Sequence, residues 1–207
     1  MDSVGLAPDP TPAEGAVVQI YAARAFSWRG IFAVHTWIAF KRAGETAYSR
    51  YDVVGWGDGH KVRRNYGPTD GMWYGARPSL LVDLRGDQAA KIIDHVVAAI
   101  ASYPYRDLYR TWPGPNSNTF VAHIGREVPE LRLDLPASAI GKDFRPLTRA
   151  LGRAPSGGGL QISILGLAGV TLAPEEGIEF NLLSLSFGVD VLQPAIRLPA
   201  YGRVGME

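Results

Sequence analysis

The sequence predicts an α+β fold, a mainly antiparallel sheet with two main helices packed on it, extended by a C-terminal apolar β-rich segment. Three observations carry this expectation. Segments 87–102 and 117–127 place their aliphatic residues at helical spacing. Runs rich in β-branched and aromatic residues, 16–24, 31–40 and 48–56, stand between loops containing glycine. Beyond residue 160, two apolar stretches, QISILGLAGVTLAP and IEFNLLSLSFGVDVLQP, flank an acidic turn, PEEG.

Each element has its own justification. Residues 1–15, MDSVGLAPDPTPAEG, are acidic and proline-rich, and a disordered N-terminal segment is expected; they lack the basic and apolar regions of a signal peptide. Residues 16–207 then form a single domain, because 207 residues suit one sizeable core. AVVQIYAAR reads as a first strand and IFAVHTWIAF as a second, apolar enough to be buried on both faces. KRAGET turns the chain into YSRYDVVGW, making a hairpin. GDGHKVRRNYG continues as turn and short strand, and TDGMWYGARP is irregular. In the first helix Asp87 is the expected cap, Pro104 the stop, and Ile92, Ile93, Val96, Val97 and Ile100 the inner face. The second helix runs from about Ser117 to Glu127, stopped by Pro129, with Phe120, Val121, Ile124 and Val128 inward. Residues 131–160 read mostly as loop. The tail's Leu, Ile and Phe are expected in the core rather than on a membrane or partner surface.

Composition narrows the chemistry. Lysine and arginine number 21 against 20 acidic residues, with no basic block, so a nucleic-acid footprint is excluded. Cysteine is absent, which removes disulfides, thiolate zinc sites and cysteine nucleophiles. No apolar run approaches the roughly 18–20 residues of a membrane-spanning helix. No metal is expected, since His35, His60, His95 and His123 share no ligand spacing. No cofactor is expected either: SGGGL lacks the lysine and hydroxyl of a phosphate loop, and GWGDGH lacks the strand–helix context. Glu175 and Glu176 sit in a turn.

His95 falls on the solvated side of its helix, His60 in a turn and His123 on a rim. His35 lies mid-strand among apolar residues, where an imidazole must find a partner. The stretch TWPGPNSNTF (111–120) raises the matching question. Ser117 is either an N-cap or a nucleophile at a helix N-terminus, where free amides and the helix dipole favour negative charge. Helical angles aim it at what the helix packs on, expected to be the sheet containing His35. A hairpin turn at Ala43–Gly44 sets Asp52 directly opposite His35; a one-residue change substitutes Val53.

The stretches YAARAFSWRGIFAVHTWIAF, YDVVGWG, ASYPY, WPGPNSNTF, AIGKDF and the GLxxGVT-to-LPxxGRVG tail resemble an uncharacterised bacterial domain-of-unknown-function family, over nearly the whole chain from about residue 16. That resemblance implies a cell-envelope or periplasmic protein, with peripheral membrane association and an N-terminal leader removed. The order of His35 before Ser117 is distantly similar to circularly permuted papain-like proteins (the NlpC-type, lecithin-retinol-acyltransferase-like and PPPDE groups), with serine where they carry cysteine. It implies a permuted papain-like fold and a serine-dependent hydrolase or acyltransferase acting on an amide or ester of a small-molecule, lipid or peptide substrate. Ser117 would be the nucleophile, His35 the base and Asp52 its orienter. Asn116, Asn118 and nearby amides would form the oxyanion site, and Trp112, Trp37 and Trp73 would wall the cleft. The alternative is a non-catalytic envelope module binding a lipid, glycan or protein partner.

Overall fold

The computed structural model describes residues 2–11, 15–192 and 194–205. It is an α+β protein with two antiparallel sheets. The first sheet contains β1 (Val17–Arg24), β2 (Val34–Lys41), β3 (Ser49–Val53), β4 (Val62–Arg64) and β5 (Ser79–Arg85), in the order β4-β3-β2-β1-β5. β1 and β2 pair over their full length, and every apolar residue of the two central strands except the half-buried Val34 is buried. The second strand begins later than its apolar run suggests, because Ser27–Ile31 forms a 3-10 turn and leaves Ile31 exposed. Strand β5, SLLVDLR, lies between the irregular aromatic segment and the first helix.

Helix α1 (Asp87–Ala101) packs on β1 and β5, and α2 (Ser117–Glu127) on β2 and β3. Gly86 rather than Asp87 is the α1 N-cap; Asp87 occupies the first turn, where its charge suits the helix dipole. Val97 is exposed, and Ala89 and Ala99 complete the inner face. Between helices and sheet, Val18, Ile20, Ile38, Phe40, Val53, Ile93, Phe120 and Ile124 form the main core. Fully burying each such aliphatic or aromatic side chain is worth about 1.5–3 kcal/mol. The opposite face of the sheet has its own cluster, Tyr21, Ala23, Trp37, Ala39, Val54 and Trp73.

The expected disorder of residues 1–15 falls partly outside the described residues, at 1 and 12–14. Within residues 2–11, Ser3, Leu6, Ala7 and Pro8 have defined partners. The Asp70 carboxylate accepts from the Ser3 hydroxyl and from the Leu6 and Ala7 amides, and the Tyr48 hydroxyl donates to the Pro8 carbonyl.

The second sheet is a meander of β6 (Leu151–Gly152), β7 (Leu160–Ile164), β8 (Ala168–Ala173), β9 (Gly177–Leu182), β10 (Leu185–Asp190), β11 (Ala195–Leu198) and β12 (Gly202–Gly205). The PEEG turn joins β8 to β9, but the two apolar stretches fold into four short strands, β7 to β10, rather than two long segments. Its alternation is inverted. One cross-strand row reads Leu160, Leu172, Ile178, Val189, Ile196, Val204, and a second Leu151, Ile162, Val170, Phe180, Phe187. All eleven side chains are exposed. The interleaved Gln161, Ser163, Thr171, Glu179, Asn181, Ser186 and Arg197 are buried. The tail's expected place in the core is therefore corrected: the face it buries is the polar one.

What covers that polar face is the 131–150 segment. Gln161 donates to Asp143 at 2.6 Å and Ser186 to the other oxygen of the same carboxylate at 3.0 Å. Arg197 grips Asp134 with both terminal nitrogens. Lys142 and Glu179 form a fully buried ion pair. Burial opposes the Lys142 charge, but Glu179 and Asp143 outweigh it and hold the ammonium pKa above its usual value.

Candidate functional site

WPGPNSNTF enters α2 through a tightly bonded turn, with the Trp112–Pro113 and Gly114–Pro115 peptides cis. Asn116 is the N-cap. Its Oδ1 accepts from the Asn118 and Thr119 amides, and the Thr119 hydroxyl accepts from the Asn116 amide, closing a capping box. Asn116 Nδ2 donates to the Thr111 and Ile140 carbonyls. Asn118 Nδ2 donates to the Val34 and Ile140 carbonyls, while its Oδ1 accepts from the Thr36 hydroxyl at 2.9 Å. The Thr119 hydroxyl donates to the Gly141 carbonyl. AIGKDF takes part through Gly141, whose φ of +94° suits glycine and whose missing Cβ would stand 2.4 Å from Asn116 Nδ2.

In the run Asn116-Ser117-Asn118-Thr119, three side chains are thus spent on holding the helix to β2 and the 140–141 loop. Ser117 is different. Its hydroxyl has no hydrogen bond among the described residues, it is buried, and it lines a cavity of about 860 Å³. It occupies the first helical position, so its own amide is a first-turn N–H that the Asn116 cap does not take. The Asn118 amide, expected as an oxyanion donor, already donates to Asn116.

His35 lies at the start of β2 and lines the same cavity. Its Nε2 is 3.1 Å from Asp52 Oδ1. The β2–β3 ladder pairs Ile38 with Tyr51 and Phe40 with Ser49, two residues from the expected register. An even shift keeps Asp52 on the face of His35, as a diagonal neighbour. Arg50, two residues along the same face, grips both Asp52 oxygens, from Nε at 2.7 Å and Nη2 at 2.8 Å. The Arg50 guanidinium rests on Trp37, 4.2 Å from the ring centroid. The His35 ring stacks on Trp73 at 3.6 Å and 6°.

These contacts set the charges. Burial alone would raise the Asp52 pKa, but hydrogen bonds from His35 and Arg50 outweigh it and hold it below the usual carboxylate value. Burial lowers the His35 pKa, opposed by Asp52 and assisted by Arg50. At neutral pH the pair is a carboxylate beside a neutral imidazole. The carboxylate accepts the Nε2 proton, so Nδ1 carries the lone pair.

Ser117 and His35 share the cavity without a hydrogen bond between them. α2 packs on the face of β2 that carries Thr36, whose hydroxyl meets the Ser117 carbonyl at 3.3 Å; His35 points to the other face, with Trp37 and Trp73. The helix does pack on the sheet containing His35, but on its other face, and the two residues meet only at the cavity where β2 begins and β3 ends. Trp37 is corrected too. It is fully buried, donates to the Thr69 carbonyl and supports Arg50 from outside the cavity lining. The walls are Trp73, Trp112, Trp56, Tyr74, Phe26 and Trp28. Arg50 and Thr36 escaped the sequence reading, although Arg50-x-Asp52 is the i, i+2 pattern of two residues on one strand face.

Among the described residues no group of three or more metal-ligating side chains occurs, and no helix is long and apolar enough to cross a membrane. Comparison with known families matches residues 15–144 to the family described as "Protein of unknown function (DUF3750)". The match spans the first sheet, both helices and the 131–144 loop, and ends before the second sheet. No curated protein and no solved structure gives a significant match.

Proposed function

Because the chain belongs to the DUF3750 family, whose description assigns no activity, we propose a function from the site itself: a serine-dependent hydrolase or acyltransferase acting on an ester or amide inside the aromatic cavity. The observation that carries it is the isolation of Ser117, unbonded in a run whose other polar side chains are all committed, in a cavity that His35 also lines with the buried Asp52 behind it.

In this reading Ser117 Oγ attacks the substrate carbonyl carbon as His35 Nδ1 takes the hydroxyl proton. The Ser117 amide and the α2 dipole stabilise the oxyanion. The carbon–leaving-group bond breaks, His35 returns the proton to the leaving group, and the acyl group stays on Ser117. Water or an acceptor alcohol or amine then attacks the acyl-enzyme, again giving its proton to His35, and Ser117 is released with its proton. Closing Ser117 onto His35 requires substrate to draw the two sides of the cavity together, since apo hydrogen bonds are often longer than catalytic ones. Asp52, fixed by Arg50, holds the imidazole tautomer. The order of histidine and nucleophile supports this reading by its likeness to permuted papain-like enzymes.

A fluorophosphonate probe tests it. Wild type should be labelled at Ser117, and Ser117→Ala should not; His35→Gln should lower labelling at least about 100-fold. Equal labelling of wild type and Ser117→Ala rejects the enzyme. One observation favours a second reading: no hydrogen bond joins Ser117 to His35. The cavity would then be the binding site of a non-catalytic envelope module, holding an apolar or aromatic ligand against its tryptophans. Absent labelling together with saturable tryptophan quenching by such a ligand identifies that case.

A further inference from the structure

A second cavity, of about 560 Å³, opens along the α2 face that carries Thr119, His123 and Arg126. Arg145, Arg149 and Arg153 complete its lining, with Tyr105 and Phe144 packed edge to face at 5.6 Å. Arg126 comes from α2, Arg149 from the 3-10 turn Leu147–Arg149, and Arg145 and Arg153 from the segments before and after that turn. Among the described residues none of them has a carboxylate within 4.0 Å. Arg126 donates to the Lys142 and Arg153 carbonyls and to Gln161; Arg145 donates to the carbonyls of Arg149, Leu151 and Arg153. Those bonds orient the guanidiniums without neutralising them. Burial, then the neighbouring Arg145 charge, lowers the Arg126 pKa to about 10. Glu127 is the one carboxylate of the lining.

We propose that this cavity binds the phosphate group of a small anionic molecule, with Tyr105 and Phe144 against the part that bears it. Four guanidiniums facing one carboxylate are best neutralised by a multiply charged group, and guanidinium forks match phosphate oxygens in pairs. A cavity of this size belongs to the range of small-ligand sites. The site is separate from the Ser117 cavity and independent of any activity there.

The probes are inorganic phosphate, pyrophosphate and phosphatidylcholine vesicles with or without phosphatidic acid, at fixed ionic strength against chloride. Saturable binding of a soluble probe, weakened about tenfold in Arg149→Gln/Arg153→Gln, supports the site. Those two side chains make no hydrogen bond among the described residues, so folding is spared, and circular dichroism checks it. Capture only by phosphatidic acid vesicles, lost in the same variant, supports it with a lipid headgroup as the source. No binding of any probe, or binding unchanged in the variant, overturns it.

The outer face of the second sheet carries a different inference. Its two apolar rows contain no charge, and Ile164, Leu182 and Leu183 extend them. Six strands at roughly 4.8 Å spacing and six residues at roughly 3.3 Å cover on the order of 500 Å² in projection. Side-chain relief brings this near the roughly 800 Å² each partner gives a standard interface. Two alternatives fit less well. Strands of at most six residues fall short of the about 9–11 that cross a bilayer. Residues 151–207 hold three basic against five acidic residues, the wrong sign for an anionic membrane surface.

We infer that a second copy of this chain covers the face, two sheets stacking as a sandwich about 10 Å apart. Sedimentation equilibrium should show a dimer for wild type and a monomer for Val170→Lys/Phe180→Lys, with circular dichroism unchanged. A wild-type monomer up to about 100 µM, well above the micromolar affinities reached by standard interfaces, overturns the inference. So does a dimer that survives the double substitution. Binding of monomeric wild type to neutral phosphatidylcholine vesicles also overturns it and names lipid as the occupant.

Discussion

The two sheets hide opposite halves of their residues. In the first, Ile20, Ile38, Trp37 and Val53 are buried and both faces are covered, one by the aliphatic core and the other by an aromatic cluster that encloses Arg50 and Asp52. In the second, Gln161, Glu179, Asn181 and Arg197 are buried while Leu172, Phe180 and Val189 meet solvent. Both follow the same period of two, so alternation fixes which residues share a face and leaves open which face turns inward. The neighbour decides that. α1 and α2 bring aliphatic stripes to the first sheet; the 131–150 segment brings Asp134, Lys142 and Asp143 to the second.

This contrast breaks if the sheets respond alike to substitution. The largest losses should come from the interior each one uses. Phe120→Ala, beneath the first sheet, should cost about 3–5 kcal/mol in denaturant unfolding. Lys142→Met should cost about 3–5 kcal/mol because it strands Glu179, and adding Glu179→Leu should restore much of that. A Lys142→Met loss under about 1 kcal/mol would falsify the ion pair's part in docking the second sheet.

Gly141→Ala comes next, at about 1–3 kcal/mol, from a positive φ and a clash with the Asn116 cap. Measured beside Ala139→Gly, it separates the strained position from ordinary loop softening.

Acid sharpens the contrast within the first sheet. The folded His35 pKa lies below its unfolded value of about 6.5, so the unfolded chain binds more protons between the two. Stability is therefore complete above about pH 6.5 and falls as pH drops toward the folded pKa. Asp52, also depressed, extends the loss further into acid. Thermal melts against pH should show this slope, and His35→Gln should flatten its upper part.

The smallest effect belongs to the exposed rows. Phe180→Ser should change unfolding of the dilute monomer by no more than about 0.5 kcal/mol, while altering assembly at high concentration. A cost comparable with Phe120→Ala would mean the residue is interior after all.

Much of the first sheet and both helices was legible, because helical and strand periods differ over eight to fifteen residues. Strand β5 was not: SLLVDLR abuts the cap of α1, and a short apolar run beside a helix has no period of its own. The tail's strands were visible but its orientation was not, since density of Leu and Ile says burial only when something apolar lies opposite. At the candidate site, a helix N-terminus pointed to Ser117, a mid-strand imidazole among apolar residues to His35, and strand pairing to Asp52. Asn116 could not be told from Ser117 as the cap, since both types suit it. The arginine cavity left no linear signal, because Arg126, Arg145, Arg149 and Arg153 meet only after the chain has turned back on α2.

The indole of Trp112 donates to the Leu183 carbonyl at 3.0 Å, and the same exposed side chain lines the Ser117 cavity. Leu183 sits in the β9–β10 turn, at the margin of the exposed rows. The molecule thus carries a built-in optical gauge. Emission from this one ring should shift both when a ligand fills the cavity and when a second copy settles on the second sheet.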